Sequence, residues 1–260
     1  MTGPTDPDPT SAAPAVETRP PAEPRQRWRL TFARDPVPAD QVGRVAIEAW
    51  QEALAASGLP VAGLEAGGAG RARIAFGAPL PALARGAAEL ADIWLLERRP
   101  LWAVREGLAE RMPAAHRWVA AEDVWLGAPA LAGRVAAADW RVELAGAGLD
   151  VARLAAAAAG MIAARTLARV RLKGGAEKRY DLRPLLDGLA VDPEAGSGAS
   201  AAGSPVSIRM RTLFDPELGT GRPEEVVAAL ADAAGTPLEI AAITRERLIL
   251  ADDLPEPRRR

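Results

Sequence analysis

The sequence predicts an α+β fold: two ferredoxin-like (split βαβ) domains with antiparallel sheets, behind a disordered N-terminal tail. Three observations predict it. Residues 1–25 hold seven of the 23 prolines and almost nothing large and apolar, too little buried surface to offset the entropy of ordering. Beyond them, two-residue alternation and 3.6-residue periodicity succeed one another as β-α-β-β, and do so twice, which is the split βαβ pattern. Between the two runs, residues 127–133 read as a linker of small residues. The expected bounds are 1–25 for the tail, 26–127 and 135–252 for the domains, and 253–260 for a frayed end.

In the first domain, Arg27-Trp28-Arg29-Leu30-Thr31-Phe32 alternates as a half-buried strand. A helix follows to about Ser57, with Asp40 as its expected cap and Gly58 in the C′ position. Residues 59–64 read as a short strand, 67–70 as a glycine loop, 71–76 as a strand and 76–81 (FGAPLP) as a rigid connector. Strands are expected at 91–97 and 116–126 around a helix at 101–111. His116 stands at a strand entrance with no serine, acid or second histidine to partner it, so it reads as a loop or surface residue. The seven tryptophans lie in periodic segments and are expected in the core.

The second domain begins with a strand at 140–144 and an alanine-rich helix at 149–159. Residues 169–184 then form a hairpin closed by Gly174-Gly175, since glycine takes the turn's positive φ at no steric cost. A flexible insert of small residues spans 193–204, a strand 206–211, and a helix runs to Ala234 with Pro223 in its first turn. A last strand covers 238–250, bent near Thr244.

The totals exclude a good deal. The chain has no cysteine, so disulfides, zinc–thiolate sites, iron–sulfur clusters and a cysteine nucleophile are out. A single histidine removes multi-histidine metal sites and most His-based triads. With a net charge of −2, no global field draws the chain to nucleic acid or membrane. No apolar run reaches the roughly 18 residues of a transmembrane helix, and residues 1–25 lack the pattern of a signal peptide; a cytoplasmic location is the expectation. No metal site and no cofactor are expected in this chain.

What remains is local positive charge. Arg171, Lys173, Lys178, Arg179 and Arg183 lie on the hairpin beside Asp181, Arg209 and Arg211 on the next strand, and Arg222 at a helix N-terminus. If those elements pair, they form a stripe for phosphate or carboxylate groups; if they do not, the hairpin is an edge whose charges discourage aggregation. An RNA platform would also need exposed aromatics, and Tyr180 is the one candidate in the hairpin.

Several strings carry a family resemblance: WRLTFAR, ASGLP and FGAPLP in the first half, then ARVRLKGGAEKRYDLRPLL, SIRMRTLFDPELGTGRPEEVVAAL and ITRERLIL. Over about residues 27–250 the chain resembles the bacterial radical-SAM-linked protein family, a domain of unknown function found alone or fused to B12-type radical SAM proteins. Members of that family carry Ser-His-Leu-Asp where this chain has Val42-Gly43-Arg44-Val45, and a Gly-Phe-Asn-Pro-His-Pro loop within 66–73, here AGGAGRAR. The resemblance implies an accessory protein of a radical SAM enzyme, with RNA as a candidate substrate. The expectation is a non-catalytic adaptor; the alternative is an enzyme acting on RNA or a phosphorylated small molecule, with Asp181, Arg183 and Arg222 in its site.

Overall fold

A computed structural model describes residues 22–65, 69–145, 149–173, 176–192 and 206–254. Most of the expected tail and of the frayed end, all of the insert at 193–204 and the Gly174-Gly175 turn lie outside the described residues. The fold is mixed α+β, with one large, mostly antiparallel sheet and, among the described residues, four α-helices.

The first half runs β1 (Gln26–Arg34), α1 (Arg44–Ala56), β2 (Ile74–Phe76), β3 (Arg85–Leu95), α2 (Leu101–Leu108) and β4 (His116–Val124). Its strands lie in the order β4-β1-β3-β2, with every pair antiparallel. The second half runs β5 (Val135–Ala145), α3 (Val151–Ala163), the hairpin β6 (Ala168–Lys173) and β7 (Ala176–Asp181), and β8 (Leu186–Val191). It continues through β9 (Val206–Asp215), the short β10 (Gly219–Thr220), α4 (Pro223–Ala234) and β11 (Glu239–Leu250). Here the order is β11-β5-β9-β8, again antiparallel.

The halves are not separate sheets. β11 pairs in parallel with β3 at Thr244↔Arg85 and Arg245↔Gly86, so nine strands form one surface. A β-bulge between Arg245 and Arg247 interrupts the pairing with β5, a device that re-aims a side chain. Here it accompanies Arg245, which is 1% exposed and grips Glu89 of β3, itself 4% exposed, through both carboxylate oxygens (Nε to Oε1 2.9 Å). Gly86 makes room for that carboxylate: a Cβ there would stand 2.6 Å from the Glu89 Cγ and Oε1.

The connector wraps this joint. Arg245 donates to the Ala78 and Pro79 carbonyls, both at 3.0 Å, and Arg34 to those of Pro81 (2.7 Å) and Ala84 (3.2 Å). Prolines at 79 and 81 cannot donate, so the sealed segment presents carbonyls that need donors. Two guanidinium groups supply them.

Several expectations change. β1 was expected half buried, yet Arg27 and Arg29 are buried too, both bonded to the carboxylate of Asp92. Arg27 also donates to the carbonyls of Ala128 (2.6 Å) and Pro129 (3.0 Å), so the expected linker is a strap across that face. β3 begins six residues before the expected strand, because Arg85–Leu90 shows no apolar alternation and is placed by pairing with β1 and by the Glu89–Arg245 pair. Residues 59–64 contribute only isolated bridges, Val61↔Leu95 and Leu64↔Gly70. Asp40 lies in a 3-10 turn and Gly43 caps α1 instead. Four tryptophans are core, whereas Trp102 and Trp125 are exposed, since α2 buries its Val104–Leu108 side and Trp125 follows the edge strand β4.

Replacing Arg245 with Met should cost roughly 3–5 kcal/mol, because it strands the Glu89 charge and two carbonyls in the interior. Gly86→Ala should cost about 1–3 kcal/mol by forcing Glu89 off its partner. Urea denaturation reads both; a loss below about 0.5 kcal/mol for either, the range of ordinary surface substitutions, would show that the joint does not hold the halves.

Candidate functional site

The residues gathered for chemistry by the fold are not those on the hairpin. Beneath the first turn of α1 lies a half-open cavity of about 300 Å³, walled by Phe32 of β1, Trp50 of α1, Phe76 of β2 and His116 of β4. The rings touch edge to face or tilted, with centroids 5.0 Å apart for Phe32–Trp50, 5.8 Å for Trp50–Phe76 and 5.6 Å for Trp50–His116. Alternation along β1 explains the placement: Trp28, Leu30 and Phe32 face the helices, and Arg34 follows on the same side. Gly43, Ala46 and Ile47 form the helical wall, and residues 77–80 of the connector close the inner end.

Two ionised groups border that inner end, Arg34 and Glu89. Glu89 is saturated by Arg245. Arg34 is 6% exposed; its Nη atoms donate to connector carbonyls, while its buried Nε has no acceptor among the described residues. Burial lowers its pKa from the usual arginine value; Glu89 opposes that shift and Arg245 adds to it.

His116 is not the surface residue expected. Its ring is half buried against Phe32 and Trp50, and Nδ1 lies 2.9 Å from the Ala114 carbonyl. A carbonyl only accepts, so Nδ1 carries the proton of the neutral ring. Burial lowers the His116 pKa more than its backbone contacts raise it.

The predicted basic residues separate into two groups on opposite faces of the sheet. Arg209 and Arg211 alternate with the core residues Ile208 and Met210, so they stand on the face away from α3 and α4. Arg211 makes a two-point pair with Asp139 (2.7 and 3.1 Å), Arg247 joins the same carboxylate at 2.8 Å, and Arg209 pairs with Asp192. Burial pushes the Asp139 pKa up, but these hydrogen bonds outweigh it and hold the carboxyl below its usual value.

The hairpin lies on the helix-bearing side as a separate two-stranded sheet, with Arg169 paired to Asp232 of α4. Arg183 donates to the carbonyls of Ile162 (2.8 Å) and Leu186 (2.6 Å), and Asp181 accepts from the backbone N–H of Leu167 (2.7 Å) and Arg183 (2.9 Å). Both fasten the hairpin to the body. Arg171 stacks on Tyr180, whose phenol is pushed well up by burial and by Glu225. Lys178 and Arg179 are exposed; the Lys173 side chain lies outside the described residues. Arg222 is exposed at the start of α4, beside a cleft of about 570 Å³ between the halves.

Residues 46–216 match the profile of a family described as an uncharacterized protein conserved in bacteria (DUF2344). The chain belongs to that family. No curated protein matches it. Among solved structures, a chain in the crystal structure of a Cbf5-Nop10-Gar1 complex is similar at 12% identity and a TM-score of 0.43. That match covers 85% of this chain and 48% of the other, so this DUF2344 protein spans about half the length of that chain. In this family member, no helix among the described residues is long and apolar enough to cross a membrane. None of those residues form a cluster of three or more acidic, histidine or cysteine side chains able to hold a metal.

Arg34, Glu89 and His116 were not legible as a site, because the strings around them read as ordinary core strands. The one signal was a charged residue, Arg34, in phase with Trp28, Leu30 and Phe32 on the buried side.

His116 is the only histidine, which makes a pH test clean. Its native pKa lies below the unfolded value of about 6.5. As pH falls, the unfolded chain takes the proton first, so the stability present above pH 6.5 declines toward the native pKa. Urea midpoints should therefore drop between about pH 7.5 and 5.5 in the native protein and stay nearly flat in His116→Phe. Parallel curves would place the His116 ring in water.

Proposed function

We propose that this protein is a non-catalytic binding protein, which holds a small ligand in the Phe32–Trp50 cavity and presents it to a partner enzyme. The observation that carries this reading is the cavity itself: four rings on its walls and a charged inner end whose groups are held by internal pairs and backbone bonds. Such an enclosure suits binding, because apolar walls supply affinity and a few fixed polar groups supply orientation. Among the described residues its lining offers no nucleophile, and of its acid–base groups Glu89 is held by Arg245 and His116 Nδ1 by a backbone carbonyl.

The resemblance to the radical-SAM-linked family makes a radical SAM enzyme the partner in this proposal. RNA remains an alternative load, supported by the exposed Lys178 and Arg179 on the hairpin. The enzyme reading is weaker, since Asp181 and Arg183, two of its three residues, are engaged with backbone groups. At the level of fold, we read each half as a ferredoxin-like unit; the matching strand orders β4-β1-β3-β2 and β11-β5-β9-β8 support that.

Ala46 is half exposed on the cavity wall, so Ala46→Trp should fill the space without disturbing the core. Native mass spectrometry of the protein purified from its own cells should show a small molecule that Ala46→Trp loses, with the melting temperature kept. Turnover of a co-purifying radical SAM enzyme should fall when this chain is omitted or carries Ala46→Trp. An empty protein, and a partner fully active without it, would refute the proposal.

A further inference from the structure

We infer that the cavity selects a compact molecule with an apolar body and a single carboxylate, the carboxylate meeting Arg34 at the inner end. This deepens the binding reading and rests on it. Charge is the first reason. Arg34, Arg245 and Glu89 lie together at 6%, 1% and 4% exposure, so two buried cations face one buried anion. Both Glu89 oxygens are taken by Arg245. Among the described residues one positive charge is left over beside an apolar space, where a low dielectric makes an uncompensated charge costly. His116, the other ionisable group on the wall, is held toward its neutral form and does not offset it.

The unused donor is the second reason. Arg34 spends its Nη groups on the connector carbonyls, whereas its Nε is buried without an acceptor among the described residues. A guanidinium N–H left unmade in the interior adds to the cost of that charge, which an anion at the cavity end offsets. The helix supplies a third reason. α1 starts over the same cavity at Gly43, with no side-chain cap and no acidic residue in its first turn. Its free N–H groups and the positive end of its dipole therefore add to the attraction for an anion.

The same count decides the size of the anion. One surplus buried charge matches a monoanion; a phosphate near −2 would bring a second charge that only the helix N-terminus faces. The volume of about 300 Å³ sits at the small end for ligand cavities, and the ring-lined walls favour an aryl or branched alkyl body.

The test titrates the full-length protein with 3-phenylpropionate, 3-phenylpropionamide and 3-phenylpropylamine, followed by calorimetry and by the NMR signals of Ala46 and Ile47. The carboxylate should bind at least about 10-fold tighter than the amide, equivalent to ~1.4 kcal/mol, and the amine should bind weakest. Arg34→Met should abolish the preference and keep amide binding. Because that variant strips donors from the connector, Ile47→Asp at the exposed rim provides a second reading: it should weaken the carboxylate several-fold more than the amide. Equal affinity for acid and amide, or a preference for the amine, would overturn the carboxylate while leaving the cavity as a ligand site. No binding of any of the three, with Ala46 and Ile47 signals unmoved, would overturn the inference, and an empty protein in the mass spectrum would take the binding reading with it.

Discussion

The ion pair between Arg245 and Glu89 is the interaction on which this architecture turns. One apolar cluster surrounds Trp50 and Ile93 and the other Trp140 and Ile208, the second reaching Leu80 of the connector and Ala84 beyond it. The strands that join them, β11 and β3, pair over only two residue positions. Such a short parallel contact gives little by itself, so the pair beneath it matters. It is stable where it sits because every charge there has several donors or acceptors: Glu89 receives two N–H groups, and Arg245 also reaches two carbonyls and lies 5.4 Å from the Trp140 ring. A buried pair with those extra bonds offsets much of its desolvation cost, and one without them would not.

Arginine plays the same part throughout the chain. Arg27 and Arg29 enclose Asp92, which is fully buried, while Arg27 and Arg73 stack against Trp94 at 5.0 and 4.3 Å. Arg183 fastens the hairpin, and Arg211 with Arg247 shares Asp139. The planar, multi-donor guanidinium suits this work in a way that a lysine ammonium does not. Several positive residues in this sequence are therefore internal fasteners, which is why the expected basic stripe does not form on one surface.

That same fact sets the limit of legibility. β1, α2, β9, and the Pro223 start of α4 were readable, because alternation or helical spacing of large apolar residues marks them whatever their neighbours do. β8 was missed because Asp187 and Gly188 break its pattern, and its place is set by pairing with β9. The start of β3 was missed because Glu89 looks like a surface residue until a strand from 156 positions away covers it. The cavity was missed for a related reason: Phe32, Trp50 and Phe76 read as core, and no local pattern tells a filled core from one with a gap. Only the helix count, which depends on short windows, carried through directly to the fold.

The joint and the cavity also share a wall, and this bears on how ligand and fold are coupled. Residues 77–80 close the inner end of the cavity, and their carbonyls are held by Arg245 from one half and Arg34 from the other. A ligand that engaged Arg34 would act on a group that already tethers this connector. Its binding energy would then favour the arrangement in which connector, β3 and β11 are joined, since a ligand stabilises the state that it binds. The cavity is in this sense not an appendage of the first half. It is built where the two halves meet, and Glu89, which Arg245 grips across the joint, also borders the cavity.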